Sequence, residues 1–181
     1  MIWIIIAVLV LLVLWGISVQ NKLVKVDELC KNALKQINVQ QVSRYDAIKA
    51  LVKLTREYAS YESETLEKVI AQRKITAAAN PSVEDINANE AALQAMSARL
   101  IAIAEQYPDL KANQNYQQAM ADIKQYEENV RLSRMTFNDT VTKYNNQVRM
   151  FPGSVVAGIL GFPKREYLAD EPAKKDYPDI F

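Results

Sequence analysis

The chain has 181 residues with 22 basic and 21 acidic side chains, a formal net charge of +1 and no histidine. This near-neutral charge provides no electrostatic footprint for nucleic acid, so no nucleic-acid partner is expected. Without histidine the commonest general base and metal ligand is missing, and the single cysteine, Cys30, excludes a disulfide framework and a structural zinc site. No glycine-rich phosphate loop occurs either. We therefore predict no enzyme activity, no cofactor and no metal, and a hydrolase that uses carboxylates alone is the alternative.

The first 19 residues, MIWIIIAVLVLLVLWGISV, carry no charge and no amide side chain. As a helix they would extend about 28 Å, close to the ~30 Å hydrocarbon core of a bilayer. Trp3 and Trp15 lie near the two ends of the run, where indole rings favour the membrane interface, and Gly16 offers a small side for packing between spans. The pattern predicts a transmembrane anchor at 1–20 with the lipid bilayer as its partner.

A cleaved signal peptide and a buried core helix are the alternative interpretations of this apolar run. Nothing basic precedes it, as the first region of a signal peptide would require, and the helical pattern continues into 20–23 without a breaker. No other segment of the chain is as hydrophobic, which disfavours a core helix. We therefore expect the anchor to be retained and to continue directly into the next helix.

Basic residues are found only after the anchor, and the ones nearest to it are Lys22, Lys25, Lys31 and Lys35. Lysine and arginine flanking a span accumulate on the cytoplasmic side. This favours an outside amino terminus with the bulk of the chain in the cytoplasm, and the opposite orientation is the alternative.

Residues 21–162 are scarce in glycine and rich in helix-forming residues, which predicts an all-α domain. Between 21 and 80 there is no proline or glycine, but the apolar stripe weakens at 40–44. A single helix of that length would reach about 85–90 Å, more than the later helices could cover. We therefore predict a break or sharp bend near 41–46. An unbroken helix is the alternative, because no breaker residue enforces the bend.

Residues typical of helix ends predict two further helices. Asn80-Pro81 ends the preceding helix, and Ser82 with Asp85 predicts a capping box at the start of the next. Apolar positions then step alternately by three and four, as in the heptads of a coiled coil, until Pro108. The same alternation runs through a last long helix at 113–150. The seam residues are Leu93, Met96, Leu100, Ile103 and Tyr107, then Tyr116, Met120, Ile123, Glu127, Val130, Arg134, Phe137, Val141, Tyr144, Val148 and Phe151.

Two seam positions of the last long helix are charged, Glu127 and Arg134. They are about 10.5 Å apart along a helix, too far to pair with each other, so each needs a partner on a facing helix. Together with Glu62 and Arg73 they form a predicted structural polar network that fixes helix register. The alternative is a polar groove that binds a ligand or peptide.

The carboxyl-terminal part of the chain has two segments of different character. Residues 154–162, SVVAGILGF, are uncharged and apolar, and they either cap the end of the bundle or contact the bilayer or a partner. Which end of the bundle carries them depends on the predicted break near 41–46. Residues 163–181 are charged and contain three prolines, which is typical of an extended strap or a disordered end.

Several segments, in this order along the chain, resemble LemA family proteins. They are NKLVKVDELCKNALKQINVQ (21–40), YASYESETLEKVIAQR (58–73), AEQYPDLKAN (104–113), ENVRLSRMTFNDTVTKYNNQVRMFP (128–152), GFPKREYL (161–168) and PDIF (178–181). The resemblance implies a bacterial single-pass membrane protein whose soluble part is an antiparallel, up-and-down four-helix bundle of long helices without an established catalytic function. One departure is that family members commonly carry a proline-asparagine pair where this chain reads SRYDAIKALV (43–52). The family's polar positions fall on Glu62, Arg73, Glu127, Arg134, Asn138 and Asn145, with no catalytic role attached.

Taken together, these features predict an anchor at 1–20, a helical bundle at 21–162 and an extended tail at 163–181. The predicted function is that of a non-enzymatic scaffold at the bacterial inner membrane, a homo-oligomer in which the span is part of the assembly interface. The alternative is a membrane-tethered adaptor that regulates a membrane protease or a stress-response partner.

Overall fold

The computed structural model describes residues 1–59 and 80–169, and all regular structure within these residues is helical. The helices are α1 (Ile2–Tyr58), α2 (Val83–Gln106), α3 (Pro108–Ala112), α4 (Gln114–Arg149) and α5 (Gly153–Leu160). Residues 162–169 follow as a non-helical segment. The predicted all-α fold is confirmed. Glu62 and Arg73 lie outside the described residues.

The long helices α1, α2 and α4 pack together as a helical bundle. Near the start of the chain, the Trp15 ring on α1 contacts the ring of Phe151, which follows the end of α4. At the other end of α1, the Tyr58 hydroxyl accepts a hydrogen bond from the side chain of Asn113, which precedes α4. α1 and α4 are therefore antiparallel along almost their whole shared length.

The predicted break near 41–46 is wrong, because α1 is one helix of 57 residues. At 1.5 Å per residue it is about 86 Å long. Gln41 and Arg44, which interrupt the apolar stripe in the sequence, are 0% and 1% exposed and face the bundle. The weak stripe thus marks buried polar side chains and not a turn. No proline occurs there to remove a backbone hydrogen bond.

The predicted starts of the two later long helices are confirmed by their caps. Ser82 Oγ accepts a hydrogen bond from the Asp85 N–H at 3.1 Å, and Asp85 Oδ2 accepts one from the Ser82 N–H at 2.9 Å, which completes the capping box. Pro108 occupies the first turn of α3, where its missing N–H is no loss. Asn113 caps α4 by accepting hydrogen bonds from two backbone N–H groups.

The buried seams of α2 and α4 pack against α1 in two apolar clusters. The first, farther from the amino terminus, includes Ile48 and Leu51 of α1. The second includes Cys30, Leu34 and Ile37 of α1. Buried seam residues in these clusters are Leu93, Met96, Leu100, Ile103, Tyr116, Ile123, Val130, Phe137, Val141 and Tyr144.

Candidate functional site

A polar layer lies between the two apolar clusters. On each long helix, the residues of this layer lie between a residue of one cluster and a residue of the other. On α1, for example, they lie between Ile37 of the second cluster and Ile48 of the first. Its members, here called the Arg44 layer, are Gln41, Arg44, Glu90 and Glu127. Because all three helices contribute to it at the same level, the layer fixes how they are aligned along their axes.

Arg44 is the centre of this layer and the largest fully buried side chain described. Its Nη1 lies 2.7 Å from Glu90 Oε1, and its Nη2 lies 3.4 Å from Glu127 Oε2. Gln41 Nε2 donates to the other Glu90 oxygen at 3.1 Å. The Glu90 side chain is 7% exposed whereas that of Glu127 is 37% exposed. Glu90 is therefore the main counter-ion of a buried charge, and Glu127 a peripheral one.

The structure places the sequence-predicted polar residues in different surroundings. Glu127 contacts Arg44 on α1, across the bundle. Arg134 is in a separate group: its Nη2 donates to the Ala169 carbonyl at 2.6 Å and its Nη1 to Asn87 Oδ1 at 3.5 Å. Glu62 and Arg73 lie outside the described residues, so their predicted part in the network stays a prediction.

Sequence reasoning missed three members of the layer: Gln41, Arg44 and Glu90. The sequence signal for Gln41 and Arg44 is the weakened apolar stripe at 40–44, from which a break or sharp bend is predicted. On α2, the apolar seam continued backwards from Leu93 reaches Asn89 and Glu90 before it returns to Ile86. A gap of the same kind on two helices is what a shared buried polar layer produces.

A second polar site holds the chain after α5 against α4. This segment, residues 162–169, is here called the strap. Asn145 donates through Nδ2 to the Arg165 carbonyl and accepts from the Arg165 N–H through Oδ1, both at 2.9 Å. Asn138 does the same with Leu168, at 3.2 and 3.0 Å. Each amide thus replaces the neighbouring strand that extended backbone normally pairs with.

The spacing of the two asparagines matches the strap. Asn138 and Asn145 are seven residues apart on α4, about 10.5 Å along the axis. Arg165 and Leu168 are three residues apart in extended chain, about 10 Å. Two helical turns and three extended residues therefore cover about the same distance, so both asparagines can reach the strap backbone. Both asparagines are among the positions that the family resemblance singles out.

An ion pair ties the strap to α1 as well. Arg165 Nη2 lies 2.7 Å from Asp27 Oδ1, and the side chains are 28% and 17% exposed. Burial raises the pKa of the Asp27 carboxyl, but hydrogen bonds from Arg165 and from Lys31 outweigh burial and hold its pKa below the ordinary value. The guanidinium of Arg165 also lies 5.6 Å from the Tyr144 ring centroid. The strap therefore joins α1 to α4 near the anchor.

An open pocket of about 490 Å³ lies beside this ion pair, with Asp27, Glu84, Phe137, Tyr144 and Arg165 among its lining residues. The described residues contain no group of three or more Cys, Asp or Glu that could hold a metal ion. Cys30 lies in the core at 0% exposure, and burial raises the pKa of its thiol. It is a packed side chain and not a reactive one.

The predicted anchor residues lie on the part of α1 that extends beyond the bundle. Trp3 is 83% exposed and Trp15 42% exposed. A Cβ at Gly16 would meet no atom within 4 Å. Among residues 1–59 and 80–169, α1 is the one helix long and apolar enough to cross a membrane.

The segment after α4 lies at this same end of the bundle. Val156 and Ala157 of α5 pack on Leu23 of α1, with Val19 partly buried beside them. The opposite side of α5 is apolar and exposed, including Ile159 at 78%. The segment therefore packs on the bundle through one face and leaves the other face uncovered next to the anchor.

Comparison with known proteins gives a family match and partial relatives. A family model described as LemA family matches residues 33–181. The chain is similar to magnetosome proteins MamQ 2 and MamQ 1 of Paramagnetospirillum magneticum, each 31% identical over 75 residues, and to magnetosome protein MamQ of Magnetospirillum gryphiswaldense, 33% identical over 75 residues. Each alignment covers 41% of this chain and only 28% of the relative's length. With the exposed apolar part of α1, these matches indicate a membrane-associated helical protein.

The geometry of the Arg44 layer predicts unequal effects for its two carboxylates. Glu90→Leu leaves Arg44 buried without its main partner, and we expect the free energy of unfolding to fall by about 3–5 kcal/mol. Glu127→Leu removes a longer, half-exposed contact and should cost about 1 kcal/mol or less. Denaturant unfolding of the full chain in detergent measures both values.

The matched control for these variants is Glu128→Leu, which removes an exposed ion pair with Arg131 on the same helix. Arg44→Met combined with Glu90→Leu should recover most of the stability that Glu90→Leu loses, because no charge is then left buried alone. Equal losses for Glu90→Leu and Glu127→Leu would contradict the assignment of Glu90 as the main counter-ion.

The strap should loosen when the Asp27–Arg165 pair is removed. We expect Asp27→Asn to speed hydrogen exchange of the Arg165 and Leu168 amides, measured by mass spectrometry of the peptide that spans the strap. Asp46→Asn, which breaks an exposed pair with Lys49 on the same helix, should leave that exchange unchanged.

The same pair makes the strap sensitive to acid. Because the folded pKa of Asp27 is depressed, its stabilisation is complete above the unfolded pKa of about 3.9 and is lost as the pH falls below it. Exchange protection of the strap, corrected for intrinsic rates, should decline below about pH 4 more steeply in the wild-type chain than in Asp27→Asn. Identical profiles would mean that the pair does not hold the strap.

Proposed function

This chain belongs to the LemA family, and from that premise we propose that it is a non-enzymatic scaffold protein of the bacterial inner membrane. α1 anchors it in the bilayer, and copies associate with one another to organise or remodel the membrane. The observation that carries the proposal is the continuity of α1. Its apolar residues 2–14 are exposed, and the same helix enters the bundle core at Leu23 without interruption.

A rigid connection between anchor and bundle suits a structural role. A flexible linker would let the bundle turn freely above the bilayer, whereas an unbroken helix transmits the orientation of the span to the bundle. On α1 the half-buried Gly16 and Val19 lie three residues apart and Leu23 four further on. The bundle-facing side of α1 thus continues into the span, where Val19 packs beside α5 and residues 2–14 are exposed.

The assignment as a non-enzyme is supported by what the buried charges do. Arg44 and Glu90 join α1 to α2, and Asp27 and Arg165 join α1 to the strap. Each group bridges two elements of the fold. The chain carries no histidine to act as a general base near neutral pH.

The names of the relatives support a structural role. They are named magnetosome proteins, and the matched stretch is 28% of their length. From that name we draw only that this chain takes part in building a cellular structure. Scaffold assembly is a role that a long, rigid anchored bundle can perform without further chemistry.

Self-association is tested by particle size in mild detergent. We expect the full chain to form a homo-oligomer, and a variant that begins at residue 21 to form a smaller particle, because the span contributes to assembly. The same oligomer with and without residues 1–20 would show that the span is a passive tether. A monomeric full chain that co-purifies with a membrane protease would favour the adaptor function.

A point substitution makes this test sharper. Gly16→Leu adds a side chain where the isolated chain has open space, so it should not disturb the fold but should weaken packing between spans. The control Ala7→Leu lies nine residues away, about 180° around the helix from Gly16. We expect Gly16→Leu, and not Ala7→Leu, to reduce the oligomer.

The proposed orientation places the bundle in the cytoplasm. Lys22, Lys25, Lys31 and Lys35 all follow the span and are exposed on the bundle side. A fluorescent protein fused after residue 181 should therefore be bright, and an alkaline phosphatase at the same place inactive. An active phosphatase fusion would reverse the orientation.

A further inference from the structure

We propose that the segment 150–162, which includes α5, is a second membrane-contacting element that lies in the interface of the bilayer beside the span. The inference rests on the proposed function in one respect, namely that the apolar part of α1 crosses the membrane. It assigns lipid contact to a part of the chain 130 residues or more beyond the anchor.

The composition of the segment suits an interfacial location. Its sequence, MFPGSVVAGILGF, carries no charge. An exposed basic residue lies on each side of it: Arg149 just before and Lys164 just after. Exposed basic residues on both sides of an apolar stretch suit anionic headgroups, while the stretch itself suits the acyl chains. As α5 has eight residues, about 12 Å, it is far too short to span a bilayer.

The segment has two distinct sides. Gly153, Val156 and Ala157 are buried, the last two against Leu23 of α1. Val155 at 49% and Ile159 at 78% exposure lie on the other side of the helix. Met150 at 64% and Phe151 at 79%, which precede the helix, and Leu160 at 47%, in its last turn, are also exposed. Five large apolar side chains together in water would be costly, at about 25 cal/mol per Å² of apolar area.

The location of the segment along α1 decides what covers these side chains. The Phe151 ring lies 6.5 Å from the Trp15 ring, between centroids, and α5 packs beside Val19 and Leu23. Phe151 is therefore level with the last turns of the apolar run, and α5 is level with its end. The exposed face of α5 is continuous with the surface of the span.

The length of the apolar run then places α5 against lipid. All 19 residues give about 28 Å, which already falls slightly short of the ~30 Å core. If the membrane ended at Trp15, in contact with Phe151, the run would supply only about 22 Å. The hydrocarbon must therefore reach Val19, and the side chains packed there meet the bilayer. Lys22 and Lys25 lie just beyond, where they suit anionic headgroups.

Nitroxide labels in the full chain test this inference. Single cysteines for labelling are introduced by Ile159→Cys, Ile4→Cys and Leu132→Cys. The chain is reconstituted in phosphatidylcholine–phosphatidylglycerol vesicles, and collision rates with oxygen, which concentrates in lipid, and with a water-soluble nickel chelate are measured. The wild-type chain is the blank, because Cys30 is fully buried.

Two of the labels are references. Ile4 lies in the span and is 68% exposed, and Leu132 lies on α4 and is 48% exposed. Leu132 is 18 residues before Met150, about 27 Å along the helix and away from the proposed membrane surface. We expect the ratio of oxygen to nickel collisions at 159 to be several-fold higher than at 132 and to approach the ratio at 4.

The outcomes separate this inference from the proposed function. Lipid contact at 4 with water contact at 159 overturns the inference alone, whereas water contact at both 4 and 159 overturns the membrane anchor as well. Low collision rates at 159 with both reagents, together with spin–spin broadening between labels, would mean that a second copy of the chain covers α5, and the lipid assignment would be wrong.

Discussion

The unbroken course of α1 is the constraint on which the other parts of the structure depend. Residues 21–80 contain no proline or glycine, so nothing in the sequence lowers the cost of ending the helix between the membrane and the bundle. Because α1 runs straight from Ile2 to Tyr58, the antiparallel α4 must end beside the anchor. That in turn brings α5 and the strap to the membrane-proximal end, where a broken α1 would have reversed the arrangement.

The element that could not be read correctly from the sequence is the one where polar residues are buried. Periodicity assigns a seam by its apolar residues, so the interruption of the stripe at Gln41 and Arg44 predicts a break or sharp bend near 41–46. In the structure they belong to the seam, and both contact Glu90, 46 residues beyond Arg44. A partner at that distance is set by how helices align in space, which local periodicity does not encode. By contrast, the capping box at Ser82 and the cap at Asn113 depend on neighbouring residues and were predictable.

The strap shows the same limit in a different way. The composition of 163–181, charged and with three prolines, predicts either an extended strap or a disordered end, and residues 170–181 lie outside the described residues. Residues 162–169 are held by hydrogen bonds from two asparagines of α4. Both can form because seven residues along α4 and three residues of extended chain cover about the same distance. Asn138 and Asn145 were singled out by resemblance to the LemA family, but their partners, the backbone groups of Leu168 and Arg165, carry no sequence signal. Arg165 then reaches Asp27, 138 residues earlier, and closes the chain onto α1.

These contacts connect α5 closely to the strap. Two residues, Pro163 and Lys164, separate Phe162 at the end of the α5 segment from Arg165, which is fixed to both α1 and α4. If lipid contacts α5 as proposed above, a load on α5 is passed to two helices through Arg165. A single span fixes a bundle's distance from the bilayer but leaves it free to rotate about the span's axis. The second contact proposed for α5 lies away from that axis, so it would remove this freedom. In the homo-oligomer proposed above, a fixed rotation would mean that each copy presents the same faces to its neighbours. This is the physical condition under which a weak lateral contact can be repeated in two dimensions.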